Sequence, residues 1–242
     1  MQNTKIRIGR VSYLNTLPLF YKWKLPFLEI VENVPSKLAK LLELNLLEGG
    51  IVSSIHYLEN QHKYILLPNI SISSYGEARS VLLFSKKPLE EINSLRLSEE
   101  SLTSNFLTWV IFTRFLQKRV KINNQDPDAV LVIGDKALRE AKKKSYPYIF
   151  DIGQLWFEFT DLPAVFAVFV LRRDIVSLYP QEVAQLSLAL MESKERFFKD
   201  LDNLPLEEEL KTYLRTLDYN FGSQHSESLE LMYKLRRESF LK

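Results

Sequence analysis

The sequence predicts an α/β protein of two lobes, with mixed, mainly parallel sheets and a cleft between the lobes. Three observations carry this. Apolar strands alternate with helix-period segments from the start of the chain, the order that gives a parallel sheet covered by helices. The same alternation restarts near residue 86, and a continuous apolar run, Ala164–Leu171, then leads the chain back toward the first lobe. The implied division is one lobe from residues 1–86 and 172–242 and a second from residues 87–171.

The first strand is Lys5–Val11, whose apolar residues alternate with polar ones. It runs into Ser12-Tyr-Leu-Asn-Thr-Leu-Pro-Leu19. Ser12, Asn15 and Thr16 all hydrogen-bond, and Pro18 suits the first turn of a following helix, where its missing N–H costs nothing. A strand that delivers polar side chains and a helix start to one point is a place to hold a small anion. Leu28–Glu32 is the second strand. Pro35 opens a helix in which Leu38, Leu41 and Leu42 share a face. Gly49–Ser54 reads as the third strand, its glycines permitting close backbone approach. Tyr64–Leu67 and Ser80–Phe84 supply two more.

In the second unit, Ser94–Ser98 is a short strand and Ser101 begins a long helix with Leu107, Val110, Ile111 and Phe115 on one side. Ala129–Ile133 is an apolar strand followed by Gly134, Asp135 and another helix. After the returning strand, Pro180 opens a helix that turns Val183, Leu186 and Leu190 inward, and the rest is helical, with Gly222 and Ser226 as stop and start signals. The chain carries no repeat and no long linker, so a cleft between closely joined lobes is the expected ligand site, closed by a hinge.

Composition narrows the function. The 242 residues are 46% apolar, and 32 basic residues nearly balance 30 acidic ones. No basic tract calls for nucleic acid; the Lys142–Lys144 cluster follows Arg139 at a helix end, where cations meet the carbonyl-rich terminus. Cysteine is absent, which excludes disulfides, thiolate catalysis and Cys-bound metals. His56, His62 and His225 lack ligand spacing, so no metal is expected. The start Met1–Arg7 has no apolar signal core, and no run approaches the about 20 residues of a membrane helix. A cytoplasmic protein without a membrane partner, monomeric or homodimeric, is the expectation.

Several residues have two readings. Ser101-Leu-Thr-Ser104 either caps its helix or presents hydroxyls and free N–H groups to a ligand. Ser80 faces the cleft or solvent. Asp135 is an N-cap or an acid, and Trp156, Phe157 and Phe159 are core or cleft-wall aromatics. Asn15 fixes a turn, or offers a donor and an acceptor to a ligand.

Val11–Leu19, Gly76 with Ser80–Ser85, Ser101–Ser104, Ile133–Leu138, Trp156 with Thr160–Ala167, and Tyr213–Tyr219 occur in an order that resembles the chorismate dehydratase family of the futalosine route to menaquinone. The resemblance runs from residue 6 to about 235. It implies a two-lobed fold like that of type II periplasmic binding proteins, chorismate as the small-molecule substrate, loss of water to give 3-[(1-carboxyvinyl)oxy]benzoate, and no cofactor. Asn15, Ser80, Thr103 and Ser104 match positions expected to line the substrate cleft. Asn15 and Ser80 are the expected catalytic pair, while Ser12, Thr16, Ser101, Thr103, Ser104, Gly134 and Asp135 are expected to bind substrate. The chain departs from the family pattern at Asp161, where glycine is usual, at Ala164, where phenylalanine is usual, and around Gly49–Gly50, where the usual acid before the third strand's apolar run has no obvious match.

Overall fold

The computed structural model describes residues 5–22 and 24–240; residues 1–4, part of the stretch read for a signal peptide, lie outside it. Two five-stranded sheets are present. The first has the order β2 (Leu28–Asn33), β1 (Ile6–Val11), β3 (Gly49–Ser53), β10 (Ala164–Arg172), β4 (Tyr64–Ser74). The second runs β7 (Lys121–Ile122), β6 (Ser94–Arg96), β8 (Ala129–Ile133), β5 (Val81–Ser85), β9 (Tyr148–Asp151). Helices α1 (Pro35–Glu43) and α2 (Ser54–Glu59) belong to the first unit, and α3 (Leu102–Val110), α4 (Gly134–Lys143) and α5 (Ile152–Thr160) to the second. After β10 come α6 (Arg173–Leu178), α7 (Pro180–Asp200), α8 (Glu208–Thr216) and α9 (Ser223–Phe240).

The two crossing strands fall in the opposite sheets from those implied by limits at 86/87 and 171/172. β5 pairs with β8 and β9, and β10 pairs with β3 and β4. The chain therefore changes sheets between Ser74 and Val81 and again between Asp151 and Ala164. Both strands are apolar on both faces, a pattern that marks a central strand without saying which sheet receives it. These two strands also supply every antiparallel strand-to-strand pairing among the described residues, four against four parallel ones, so parallel pairing is half rather than the majority.

Glycine sets the spacing of the first sheet. A Cβ on Gly49 would lie 2.5 Å from the Val170 carbonyl oxygen, and one on Gly50 would lie 2.4 Å from the Gly9 carbonyl oxygen. β3 fits between β1 and β10 because neither residue has a side chain. Asp161, where the family pattern has glycine, closes α5 with φ +57°. Glycine takes that left-handed conformation freely, and aspartate is among the few other residues that tolerate it.

The apolar interior includes Ile8, Leu107, Phe112, Trp156, Phe169 and Leu190. Trp156 is fully buried, while Phe159 is surface-exposed and stacks on Phe115, so the aromatic reading resolves to core and surface rather than cleft wall. Pro18 lies inside a 3₁₀ helix, Leu14–Phe20, instead of opening it. The strand from Tyr64 continues to Ser74. Ser226 lies within α9, which starts at Ser223 immediately after Gly222. No helix of the described residues is long and apolar enough to cross a membrane.

Candidate active site

Five turns of the chain end at one crevice of about 580 Å³, open solvent at its mouth included. Tyr13 precedes the 3₁₀ helix after β1, Pro35 opens α1 after β2, and Ser53 caps α2 after β3. From the second sheet come Ser101, the cap of α3, and Gly134, the first residue of α4 after β8. All five line the crevice, together with Asn15, Ser80 and Ser104. Ligands of open α/β sheets lie at the carboxyl ends of strands, where helix N-termini present free N–H groups and partial positive charge. The remaining wall is apolar, including Val11, Ile51, Val52, Phe166 and Leu217, and no Asp, Glu, Lys, Arg or His is among the lining residues.

Asn15 and Ser80 meet here. The buried Oδ1 of Asn15 has no hydrogen-bond partner, and Ser80 Oγ accepts a 2.9 Å bond from the hydroxyl of Tyr213 on α8. Burial pushes the Tyr213 phenol pKa up, outweighing the opposing influence of its neighbours Ser80 and Asn15, so the group is a neutral donor. Ser101 does cap α3, its hydroxyl accepting from Ser104 N at 3.2 Å and donating to Ser104 Oγ at 2.9 Å. Capping and cleft lining therefore coincide at Ser101.

Four expected residues do other work. Thr103 is fully buried outside the crevice lining, and its hydroxyl accepts from Ile55 N at 3.2 Å, fastening α2 to α3. Thr16, also fully buried, donates to the Val11 carbonyl at 2.8 Å and thereby holds the turn. Ser12 is exposed and its N–H belongs to the Asn33 carbonyl. Asp135 is not an N-cap, since Ile133 has that place; its carboxylate instead accepts from Leu14 N at 3.2 Å, tying α4 to the 3₁₀ helix. Burial, the largest influence, raises the Asp135 pKa.

Histidine takes no part in the lining. His225 contacts Ser73 Oγ at 3.0 Å and Asp218 at 3.2 Å, and His56 is buried 3.6 Å from Glu43. Lys142 of the basic cluster meets Glu209 at 2.7 Å.

A family model described as menaquinone biosynthesis matches residues 6–238. The chorismate dehydratase of Thermus thermophilus is 30% identical over 189 residues, covering 69% of this chain and 70% of that protein. This chain belongs to the chorismate dehydratase family of menaquinone biosynthesis. The Campylobacter jejuni chorismate dehydratase is 29% identical over 208 residues, covering 80% of this chain and 82% of the other. Among solved structures, a protein from Archaeoglobus fulgidus superposes with TM-score 0.68 at 15% identity, each chain fully covered. The periplasmic aliphatic sulphonate binding protein of Escherichia coli gives TM-score 0.67 at 11% identity over 98% of this chain and 93% of that one. At such identities these two establish the fold alone, a two-lobed periplasmic-binding architecture, which the chorismate dehydratase family chain shares.

Sequence reasoning missed Ser53 in this family member's crevice and Tyr213 behind it. Ser53 carries a signal, a serine closing an apolar strand three residues before His56, whose N–H it accepts at 3.2 Å. Tyr213 opens the Tyr213–Tyr219 segment of the resemblance, but nothing local says that it reaches Ser80, 133 residues away in the chain.

Proposed function

We propose that this protein eliminates water from chorismate to give 3-[(1-carboxyvinyl)oxy]benzoate, as a hydro-lyase of the futalosine route. The observation that carries this reading, beside the family, is the convergence of helix starts from both lobes on a crevice without charged side chains. Chorismate is a dianion, and free N–H groups and hydroxyls at helix starts suit two carboxylates. The start of α3, with Ser101 and Ser104, receives the ring carboxylate. The start of α1 and the Ser53 hydroxyl at the cap of α2 face the enolpyruvyl carboxylate; the Ile55 and His56 N–H groups of α2 are already given to Thr103 and Ser53.

The C3 hydrogen of chorismate is acidic because the carbanion left behind delocalises through the C1–C2 double bond into the ring carboxylate. With no acidic or basic side chain among the lining residues, the substrate's own enolpyruvyl carboxylate takes that proton. Tyr13 does not serve, since burial and its hydrogen bond to Glu100 raise its pKa. The C4–O bond then breaks, its electron pair leaves with the hydroxyl, and the same carboxyl group returns the proton to give water and a regenerated carboxylate. Aromatisation drives the step. Ser80 donates to the oxygen that gathers charge, and Asn15 orients the departing hydroxyl; such preorganised donors are worth about 3 kcal/mol each.

Incubating the purified protein with chorismate and separating the products by chromatography tests the proposal. Formation of the carboxyvinyloxy benzoate supports it, and unchanged chorismate, bound or free, refutes it in favour of a binding protein.

A further inference from the structure

Tyr213 stands behind the two polar groups just assigned to the reaction. It is 1% exposed, on α8, and donates to Ser80 Oγ at 2.9 Å. A hydroxyl that accepts from a fixed donor keeps its own proton for another partner. Asn15 Oδ1, buried and unpaired, is an acceptor facing the same crevice. We infer that Tyr213 is a positioning residue: by donating to Ser80 Oγ it fixes that hydroxyl and leaves its proton to be donated toward substrate. Nothing in the family match assigns it this role, and the inference rests on the dehydratase reading above.

The burial that raises the phenol pKa supports the same arrangement, because the group stays protonated throughout the range in which an enzyme works. Asp218, five residues on, accepts Ser73 N–H through its backbone at 2.9 Å and gives its own N–H to Ser73 O at 2.8 Å. That bridge anchors the end of α8 to the first sheet. Tyr213 thus comes from the C-terminal helices packed on one lobe and holds a residue at the entry of β5 in the other.

The test compares Tyr213→Phe with the wild type in chorismate turnover and in affinity for the product, 3-[(1-carboxyvinyl)oxy]benzoate. Removing the phenol oxygen leaves the Ser80 hydroxyl free to rotate away from substrate, so kcat falls roughly 10- to 100-fold while product affinity and KM change less than about threefold. In a Ser80→Ala background the same change has little further effect, because the group it positions is gone. A packing role alone would lower the melting temperature and leave the kcat of folded protein unchanged, and that result overturns the inference. Should Tyr213→Phe fail to fold, wild-type protein labelled with 13C at the tyrosine ring carbon that bears oxygen supplies the second measurement. The Tyr213 resonance shifts when product binds, since Ser80 becomes a stronger acceptor once it donates. An unmoved resonance refutes the role. Wild-type protein that leaves chorismate unchanged instead removes the dehydratase reading itself, so the two failures are told apart.

Discussion

The hydroxyl of Tyr13, at the end of β1 in one lobe, donates to the carboxylate of Glu100, just ahead of α3 in the other. Lys136 of α4 holds the same carboxylate at 3.0 Å. The Tyr13 ring also fills the place a side chain would need at Gly134, where an added Cβ would meet it at 3.1 Å. Tyr13 is therefore one latch across the crevice, beside Asp135 on Leu14 N and Thr103 on Ile55 N.

Breaking the latch by Tyr13→Phe raises KM for chorismate roughly 10-fold, since a hydrogen bond to a charged group is worth about 1.5 kcal/mol or more. The phenol hydrogen bond, then Lys136, holds the Glu100 pKa below its ordinary value, so the latch persists at neutral pH and weakens only as acid protonates Glu100. Steady-state kinetics of Tyr13→Phe and Glu100→Gln check this; wild-type KM in both variants contradicts it.

Neighbouring residues of α3 separate structure from chemistry. Thr103→Val leaves Ile55 N–H without its acceptor and lowers stability by about 1–3 kcal/mol, with kcat of the folded protein unchanged. Ser104→Ala, at a residue that lines the crevice, weakens substrate binding more than folding. Thermal denaturation and kinetics on both variants read the contrast.

Asn15→Ala depresses kcat by about 10²- to 10³-fold and leaves the melting temperature close to wild type. The removed Oδ1 bonds to no protein group. Wild-type turnover in this variant takes Asn15 out of the reaction.

Asp128 governs acid stability of the second lobe. Its hydrogen bond with Lys87, then those from Asn93 and Ser94, hold its pKa down to about 2 from 3.8. The folded value lies below the unfolded one, so the carboxylate stabilises the fold above the ordinary pKa and loses that contribution as pH falls from 3.8 toward 2. Asp128→Asn costs about 1 kcal/mol at pH 7, most of it from the lost ion pair with Lys87, and the deficit shrinks in that acid window. Denaturant melts across pH measure it.

Local signals carried much of the architecture. The alternation of apolar strands and capped helices marked β1, β2, β3 and β8 and the helices that follow them, because those features are set within ten residues of chain. What escaped was set across the chain. The sheet that receives β5 or β10 depends on which partners are unfilled, and neither apolar run says so. At the site, Ser101 both caps α3 and lines the crevice, while Thr16 and Thr103 have the chemistry of ligand-binding hydroxyls but are consumed by Val11 O and Ile55 N. Tyr213 became visible only when α8 was packed against Ser80.

The most direct test is a crystal structure of the Asn15→Ala protein with chorismate. The account predicts the ring carboxylate within about 3 Å of N–H or hydroxyl groups at the start of α3, and the enolpyruvyl carboxylate beside the start of α1 and the Ser53 hydroxyl, with no lysine or arginine touching either. Chorismate held by a cationic side chain outside the crevice would contradict it.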